Sequence, residues 1–68
     1  MNEVSIRWIE AAKLLEVNKE QIVVCPECGV GTLIVRDEEI PKYPGKIDRY
    51  LICNVCGKWN VLTLNQPH

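Results

Sequence analysis

Two short cysteine motifs constrain the fold of this chain more than any other feature. The segments CPECG (residues 25–29) and CNVCG (residues 53–57) share the pattern Cys-x-x-Cys-Gly, and together they hold all four cysteines. Two residues between the cysteines allow a tight turn that points both sulfur atoms at the same place. The glycine after each pair can adopt a positive φ, so the chain can curl back and direct backbone N–H groups at the thiolates. We call these segments the first and second Cys turn.

The four cysteines are predicted to bind one structural Zn²⁺ ion. Facing Cys turns would place four sulfur atoms at tetrahedral corners, the closed arrangement that structural zinc prefers. The predicted ligands are Cys25, Cys28, Cys53 and Cys56. A core of this size supplies about 3 to 5 kcal/mol, whereas zinc bound in such a site contributes about 10 to 16 kcal/mol at neutral pH. The folded state is therefore expected to depend on the ion.

Disulfide bonds are the first alternative for the cysteines. Residues 1–17 carry five charged side chains at regular intervals and contain no apolar run of signal-peptide length. We therefore expect a cytoplasmic location, where thiols stay reduced.

A redox-active Cys-x-x-Cys of the thioredoxin type would need a βαβ context that the sequence lacks. His68 is expected to belong to the tail, because four thiolates already complete the site.

The pattern of the remaining residues predicts one helix followed by short strands. Residues 3–17 contain strong helix formers and neither Gly nor Pro. The helix residues expected to face the core are Val4, Trp8, Ala11, Ala12 and Leu15, whereas Ile6 and Val17 lie on the opposite side. Three later runs are predicted strands: residues 32–36, 47–52 and 58–64. In the last run, one face should carry Trp59, Val61 and Thr63, and the other Leu62 and Leu64. Residues 37–46, with an acidic triplet and two prolines, are predicted to form a loop.

The paired spacing, with a glycine after each pair, resembles the zinc ribbon family. The resemblance covers residues 22–64 and implies that the two Cys turns clamp a metal ion at one end of a small antiparallel sheet. The predicted fold class is a small metal-bound α+β domain, in which an N-terminal helix packs on a three-stranded antiparallel sheet. The whole chain is expected to be one domain, with the helix in residues 1–19 and a disordered tail at 65–68. Rubredoxins use similar paired turns to bind iron, but the proline in the first turn and the lack of Phe disfavour that alternative.

The sequence predicts a binding module rather than an enzyme. Four cysteine ligands leave no open position on the metal for water, and no Gly-rich phosphate loop or nucleophile with a nearby base is present in the sequence. Zinc ribbons bind nucleic acid or protein. Three dipeptides that pair a cation with an aromatic ring favour single-stranded nucleic acid: Lys42-Tyr43, Arg49-Tyr50 and Lys58-Trp59.

Charge favours a protein partner. The net charge of −1 becomes about −3 when four thiolates bind one Zn²⁺. From residue 25 onward, five basic residues are balanced by five acidic ones, so no basic stripe emerges. The loop around Tyr43 and the outer side of the helix are the expected docking surfaces. Four apolar helix residues could also pair two copies of the chain: Ile6, Ile9, Leu14 and Val17.

Overall fold

A computed structural model describes residues 2–65 and contains one helix and one sheet. The helix α1 spans Glu3–Val17, and the strands are β1 (Leu33–Glu39), β2 (Lys46–Cys53) and β3 (Trp59–Asn65). The strands lie in the order β1-β2-β3, and both pairings are antiparallel. The predicted α+β class is confirmed. His68 and most of the predicted tail lie outside the described residues.

The helix α1 has defined ends and one apolar face. The Oδ1 atom of Asn2 accepts a hydrogen bond from the Ser5 N–H at 2.8 Å, which satisfies one of the free donors at the N-terminus. Asn18 ends the helix in an extended conformation. The predicted core-facing side is confirmed, because the buried helix residues are Trp8, Ala11 and Leu15, and Val4 and Ala12 pack beside them.

The core lies between this helix face and one face of the sheet. Leu33 and Leu51 project from the sheet into it, and Leu15 and Leu51 are fully buried. Cys25 and Cys53 belong to the same buried cluster. Two of the predicted ligands are therefore part of the core, so the candidate metal site and the hydrophobic core are one structural unit.

The strand β1 is longer than predicted. Residues 37–39 continue β1 instead of starting a loop, and the connection to β2 is reduced to residues 40–45. Asp37 lies opposite Arg49 in the β1–β2 register. An ion pair between them makes the strand pairing favourable at a position where the sequence alone suggested solvated acidic residues. At the other end of the sheet, β3 extends to Asn65, one residue into the predicted tail.

Arg49 connects three elements. Its guanidinium group forms a two-pronged pair with Asp37, with Nε–Oδ1 at 2.8 Å and Nη2–Oδ2 at 3.0 Å. The Nη1 atom donates to the backbone oxygen atoms of Leu15 and Glu16, at 2.8 and 3.3 Å. The positive charge therefore lies at the C-terminal end of α1, where free carbonyl groups favour a cation. This pair holds the helix end against β1 and β2.

In the described part of the chain, α1 falls short of the length and hydrophobicity that spanning a bilayer would require.

Candidate metal centre

Each Cys turn is a compact backbone loop closed by its own hydrogen bond. In the first turn the N–H of Gly29 donates to the carbonyl oxygen of Cys25 at 3.0 Å, and in the second Gly57 donates to that of Cys53 at 3.3 Å. Gly29 and Gly57 have φ values of +68° and +77°. Side chains other than glycine adopt this region at a cost, so the prediction of positive φ at both glycines is confirmed.

The structure brings the four predicted cysteines together. Their sulfur atoms all lie within 4.8 Å of one another. Two distances link one turn to the other: Cys25 Sγ to Cys56 Sγ is 3.7 Å, and Cys28 Sγ to Cys53 Sγ is 3.6 Å. Four sulfur atoms bound tetrahedrally at about 2.3 Å would be about 3.8 Å apart. The cluster therefore has the dimensions of a site that can hold one metal ion.

Backbone N–H groups surround the sulfur atoms. Cys53 Sγ accepts from the N–H groups of Val55 and Cys56, both at 3.3 Å. In the first turn, Cys25 Sγ accepts from Glu27 at 3.3 Å and Cys28 Sγ from Gly31 at 3.5 Å. N–H donors stabilise a thiolate more than a thiol. Both turns therefore provide hydrogen-bond donors suited to the charged form of cysteine, which is the form that binds metal.

The thiols also perturb one another. Burial raises the pKa of Cys53, but the hydrogen bonds from Cys56 and Val55 outweigh it and lower that pKa to about 6. A hydrogen bond from the Lys58 backbone favours ionisation of Cys56, yet partial desolvation of its sulfur atom and the three other cysteines raise its pKa to about 12. Ionisation of Cys53 is therefore favoured and ionisation of Cys56 is opposed, because two thiolates at this distance repel each other. A cation at the centre would remove that conflict.

Gly31 and Asn54 hold the two Cys turns against each other. A Cβ atom on Gly31 would lie 2.7 Å from both Asn54 Oδ1 and Cys53 Sγ, and 2.9 Å from Val55 Cβ. Asn54 is also hydrogen-bonded to Thr32: the Thr32 N–H donates to Asn54 Oδ1 at 3.0 Å, and the Asn54 N–H donates to the Thr32 carbonyl oxygen at 3.2 Å. Sequence reasoning assigned no role to Gly31 or Asn54. The only sequence signal was a second glycine two positions after Gly29.

The helix covers the first Cys turn and leaves the second one open. Cys25 is 1% exposed, and the indole Nε1–H of Trp8 donates to Glu27 Oε1 at 3.1 Å. Cys56 is exposed at the surface, although its partner Cys53 is buried. The metal centre is thus supported from one side by α1 and is accessible from the side of the second turn.

The fold separates the cation from the aromatic ring in one of the three predicted dipeptides, Arg49-Tyr50. The side chain of Arg49 is only 11% exposed and is engaged with Asp37 on the helix face of β2, away from its neighbour Tyr50. Lys46 Nζ, rather than Lys42, lies over the Tyr43 ring, 5.9 Å from its centre. Tyr50 and Trp59 form an aromatic pair with ring centres 5.7 Å apart on the outer face of the sheet. Only part of the predicted stacking surface is therefore present.

Comparison with known proteins gave no match among family models, curated proteins or solved structures.

Proposed function

We propose that this chain is a zinc-ribbon protein in which Cys25, Cys28, Cys53 and Cys56 hold one structural Zn²⁺, and that it acts by docking on another protein. The observation that carries the metal assignment is the cluster of four sulfur atoms within 4.8 Å of one another. Four thiolates with tetrahedral spacing suit Zn²⁺, which has no redox chemistry and no preference for an open coordination position in structural sites. The proposed role is therefore binding and not catalysis.

The dependence of the fold on metal provides the first test. Removal of the ion with a strong chelator, or the substitution Cys53→Ser, should abolish the dispersion of amide chemical shifts. Native mass spectrometry and elemental analysis of the chain as purified should show one zinc ion per chain. A chain that stays folded without metal, or that contains iron and gives the red colour of a ferric tetrathiolate, would contradict the zinc assignment.

Exposed apolar side chains and the charge balance support a protein partner. Val17 is 88% exposed, and Ile6 and Tyr43 are also exposed. Ile6 and Val17 lie on the side of α1 away from the sheet, and Tyr43 lies at the tip of the loop between β1 and β2. Apolar and aromatic side chains at the surface are characteristic of the buried centres of protein interfaces. No concentration of basic residues competes with this assignment in the sequence as a whole.

Three versions of the zinc-loaded chain would locate the docking surface. The wild type, the double variant Ile6→Glu/Val17→Lys and the variant Tyr43→Ser should be used as baits in parallel. A partner retained by wild type and lost by one variant only would assign the surface. The two helix substitutions add opposite charges, so the net charge of the chain is unchanged and loss of binding would report the apolar contact.

Nucleic acid binding is the second candidate, and the Tyr50–Trp59 pair favours it. Exposed aromatic rings on a sheet can stack on unpaired bases. The test is retention on heparin and on mixed single-stranded RNA, first at low salt and then at higher salt. Because phosphate contacts release counterions, tight retention that falls steeply with salt would place nucleic acid before protein.

A further inference from the structure

The two edges of the sheet differ in charge. The edge strand β1 carries four consecutive charged residues, Arg36 to Glu39. The other edge strand, β3, has the sequence WNVLTLN and contains no charged residue and no proline. Charged side chains on an edge strand oppose pairing with another chain, whereas an uncharged edge rich in β-branched and aromatic residues permits it. β1 is therefore protected against further pairing, and β3 is not.

The free backbone groups of β3 can be identified from its pairing with β2. Cys53 N–H donates to Lys58 O at 2.9 Å, so Lys58 and every second residue after it point their backbone groups at β2. The alternate residues point theirs away from the sheet; these are Trp59, Val61, Thr63 and Asn65. In the described part of the chain, β2 is the one strand that pairs with β3. The outer side of β3 is thus a row of regularly spaced donors and acceptors.

Apolar side chains flank this edge on both faces of the sheet. On the outer face, Trp59 is 57% and Val61 is 44% exposed. On the helix face, Leu62 lines a cavity of about 190 Å³ together with Trp8, Ile9 and Ala12. Ile9 is 44% exposed and lies on the side of α1 nearest to β3. A strand added beside β3 would cover apolar surface on both faces as well as satisfy the backbone.

We propose that a second copy of this chain occupies the β3 edge, so that two β3 strands pair antiparallel and form one six-stranded sheet. With Leu62 opposite Leu62, the row Trp59–Asn65 meets itself over its full length, Val61 lies opposite Thr63, and no charged residue faces another. A two-fold axis perpendicular to the sheet keeps both helices on the same face, where each Ile9 flanks the new strand pair. The outer side of α1 is a poorer place for a second copy, because Glu10 and Lys13 lie between Ile6 and Val17 and would have to be buried.

This inference is independent of the docking function, because it uses the β3 edge and not the outer side of α1 or the Tyr43 loop. Its test is the molar mass of the zinc-loaded full chain, measured by sedimentation velocity and light scattering over a range of micromolar concentrations. The wild type should reach a mass twice the 7.8 kDa of one chain and should not grow further, because both remaining edges are charged β1 strands.

Two matched lysine variants separate the β3 edge from the rest of the sheet. Val61 and Ile34 are aliphatic, β-branched, similarly exposed and on the same outer face, but they lie on opposite edge strands. Val61→Lys should weaken the dimer by on the order of tenfold or more, because a lysine would be placed at the strand pair. Ile34→Lys should leave the dimer unchanged. Zinc content and amide dispersion establish that both variants are folded.

The variant Val61→Pro tests the backbone part of the argument. Since the Val61 N–H points away from β2, proline removes a donor of the proposed dimer without removing one from the β2–β3 pairing. It should give a folded, zinc-loaded monomer. A wild type that stays monomeric, a dimer that Ile34→Lys disrupts as much as Val61→Lys does, or an assembly that grows beyond two chains would overturn the proposal.

Discussion

The two Cys turns have the same motif and the same local geometry but lie in different surroundings. Both are closed by a glycine N–H, and both contain a glycine with positive φ. Cys25 in the first turn is buried beneath α1, whereas Cys56 in the second turn is exposed. Short-range sequence is therefore sufficient to form each turn, but the contribution of each turn to stability depends on what packs against it. The first turn belongs to the core, and the second reaches the core through Cys53 only.

The largest expected effect comes from removing one cysteine ligand, in one variant from the first turn and in another from the second. If the cluster holds the proposed zinc ion, Cys25→Ser and Cys56→Ser each remove one thiolate ligand and therefore a large part of the roughly 10 to 16 kcal/mol that such an ion contributes. Cys25→Ser also places a hydroxyl group in the buried cluster, which adds a desolvation cost that the Glu27 N–H, now donating to the hydroxyl oxygen, offsets only in part. We expect Cys25→Ser to be unfolded, and Cys56→Ser to keep a weaker site in which water replaces the exposed ligand.

Amide chemical-shift dispersion and competition with a chromogenic zinc chelator would measure this difference. Both variants should be compared at the same free zinc concentration, because ligand binding shifts the folding equilibrium by mass action. Equal damage from the two substitutions would mean that the surroundings of the turns do not matter, and the contrast between them would be wrong.

A smaller effect is expected where the two turns touch. Gly31→Ala would force a methyl group to within 3.0 Å of three atoms of the second turn, one of them the sulfur of Cys53. Overpacking of this kind costs about 3 kcal/mol. Gly29→Ala meets no atom within 4 Å, and its cost is the positive φ alone, about 1 kcal/mol.

Cobalt substitution distinguishes the two glycine variants. In the Co²⁺-loaded chain, the visible absorption bands report the geometry of the four sulfur ligands. Gly31→Ala should shift these bands because Cys53 must move, whereas Gly29→Ala should leave them in place and lower stability only. A shift of equal size in both variants would argue against direct contact between the turns at Gly31.

The two glycines also differ in how well their roles can be predicted from sequence. Local patterns predicted α1 over residues 3–17, its core-facing residues and the positive φ of Gly29 and Gly57, because each depends on residues close together in the chain. The cysteine spacing also selected the four residues that the structure brings together. Gly31 could not be found in this way, because its role is created by Asn54 and Val55 across the site.

The prediction of a loop at residues 37–39 is wrong for a related reason. Three consecutive acidic residues before a proline-rich stretch are typical of a loop, and the charge of Arg49 that stabilises Asp37 lies 12 residues away in sequence. The pairing becomes visible only once β1 and β2 are in register. Contacts between strands, unlike turns and helix faces, have no short-range signature.

Arg49 offers a way to weaken the cover of the first turn from a distance. Arg49→Lys keeps the charge but loses the two-pronged contact with Asp37 and the bonds to the end of α1. Asp37 is ionised at neutral pH, because the hydrogen bond from Arg49 holds the pKa of Asp37 below its usual value. The Arg49–Asp37 pair therefore contributes its full stabilisation above about pH 4, and this contribution is lost as pH falls through the lowered pKa of Asp37.

The cost of Arg49→Lys should be about 2 kcal/mol in denaturant unfolding at pH 7 with fixed free zinc. The helix should also lift from the first turn, so amide exchange should increase at Cys25 and Leu33, whose N–H groups donate to Gly31 and Val23, more than at Cys56. Asp37→Asn is the matched control, because it removes the partner's charge and leaves the bonds from Arg49 to α1 in place. Loss of protection at the second turn instead would mean that α1 does not stabilise the first turn selectively.

The smallest effect concerns the single hydrogen bond between α1 and the first turn. Trp8→Phe retains an aromatic ring in the core but removes the donor to Glu27 Oε1, and we expect a loss of about 1 kcal/mol. Glu27→Gln keeps an acceptor oxygen and should cost less. In the double variant the small loss from Glu27→Gln should disappear, because the bond that it weakens is already absent, and this coupling separates the hydrogen bond from the change in ring size. Additive losses would show that Trp8 supports the first turn by packing alone.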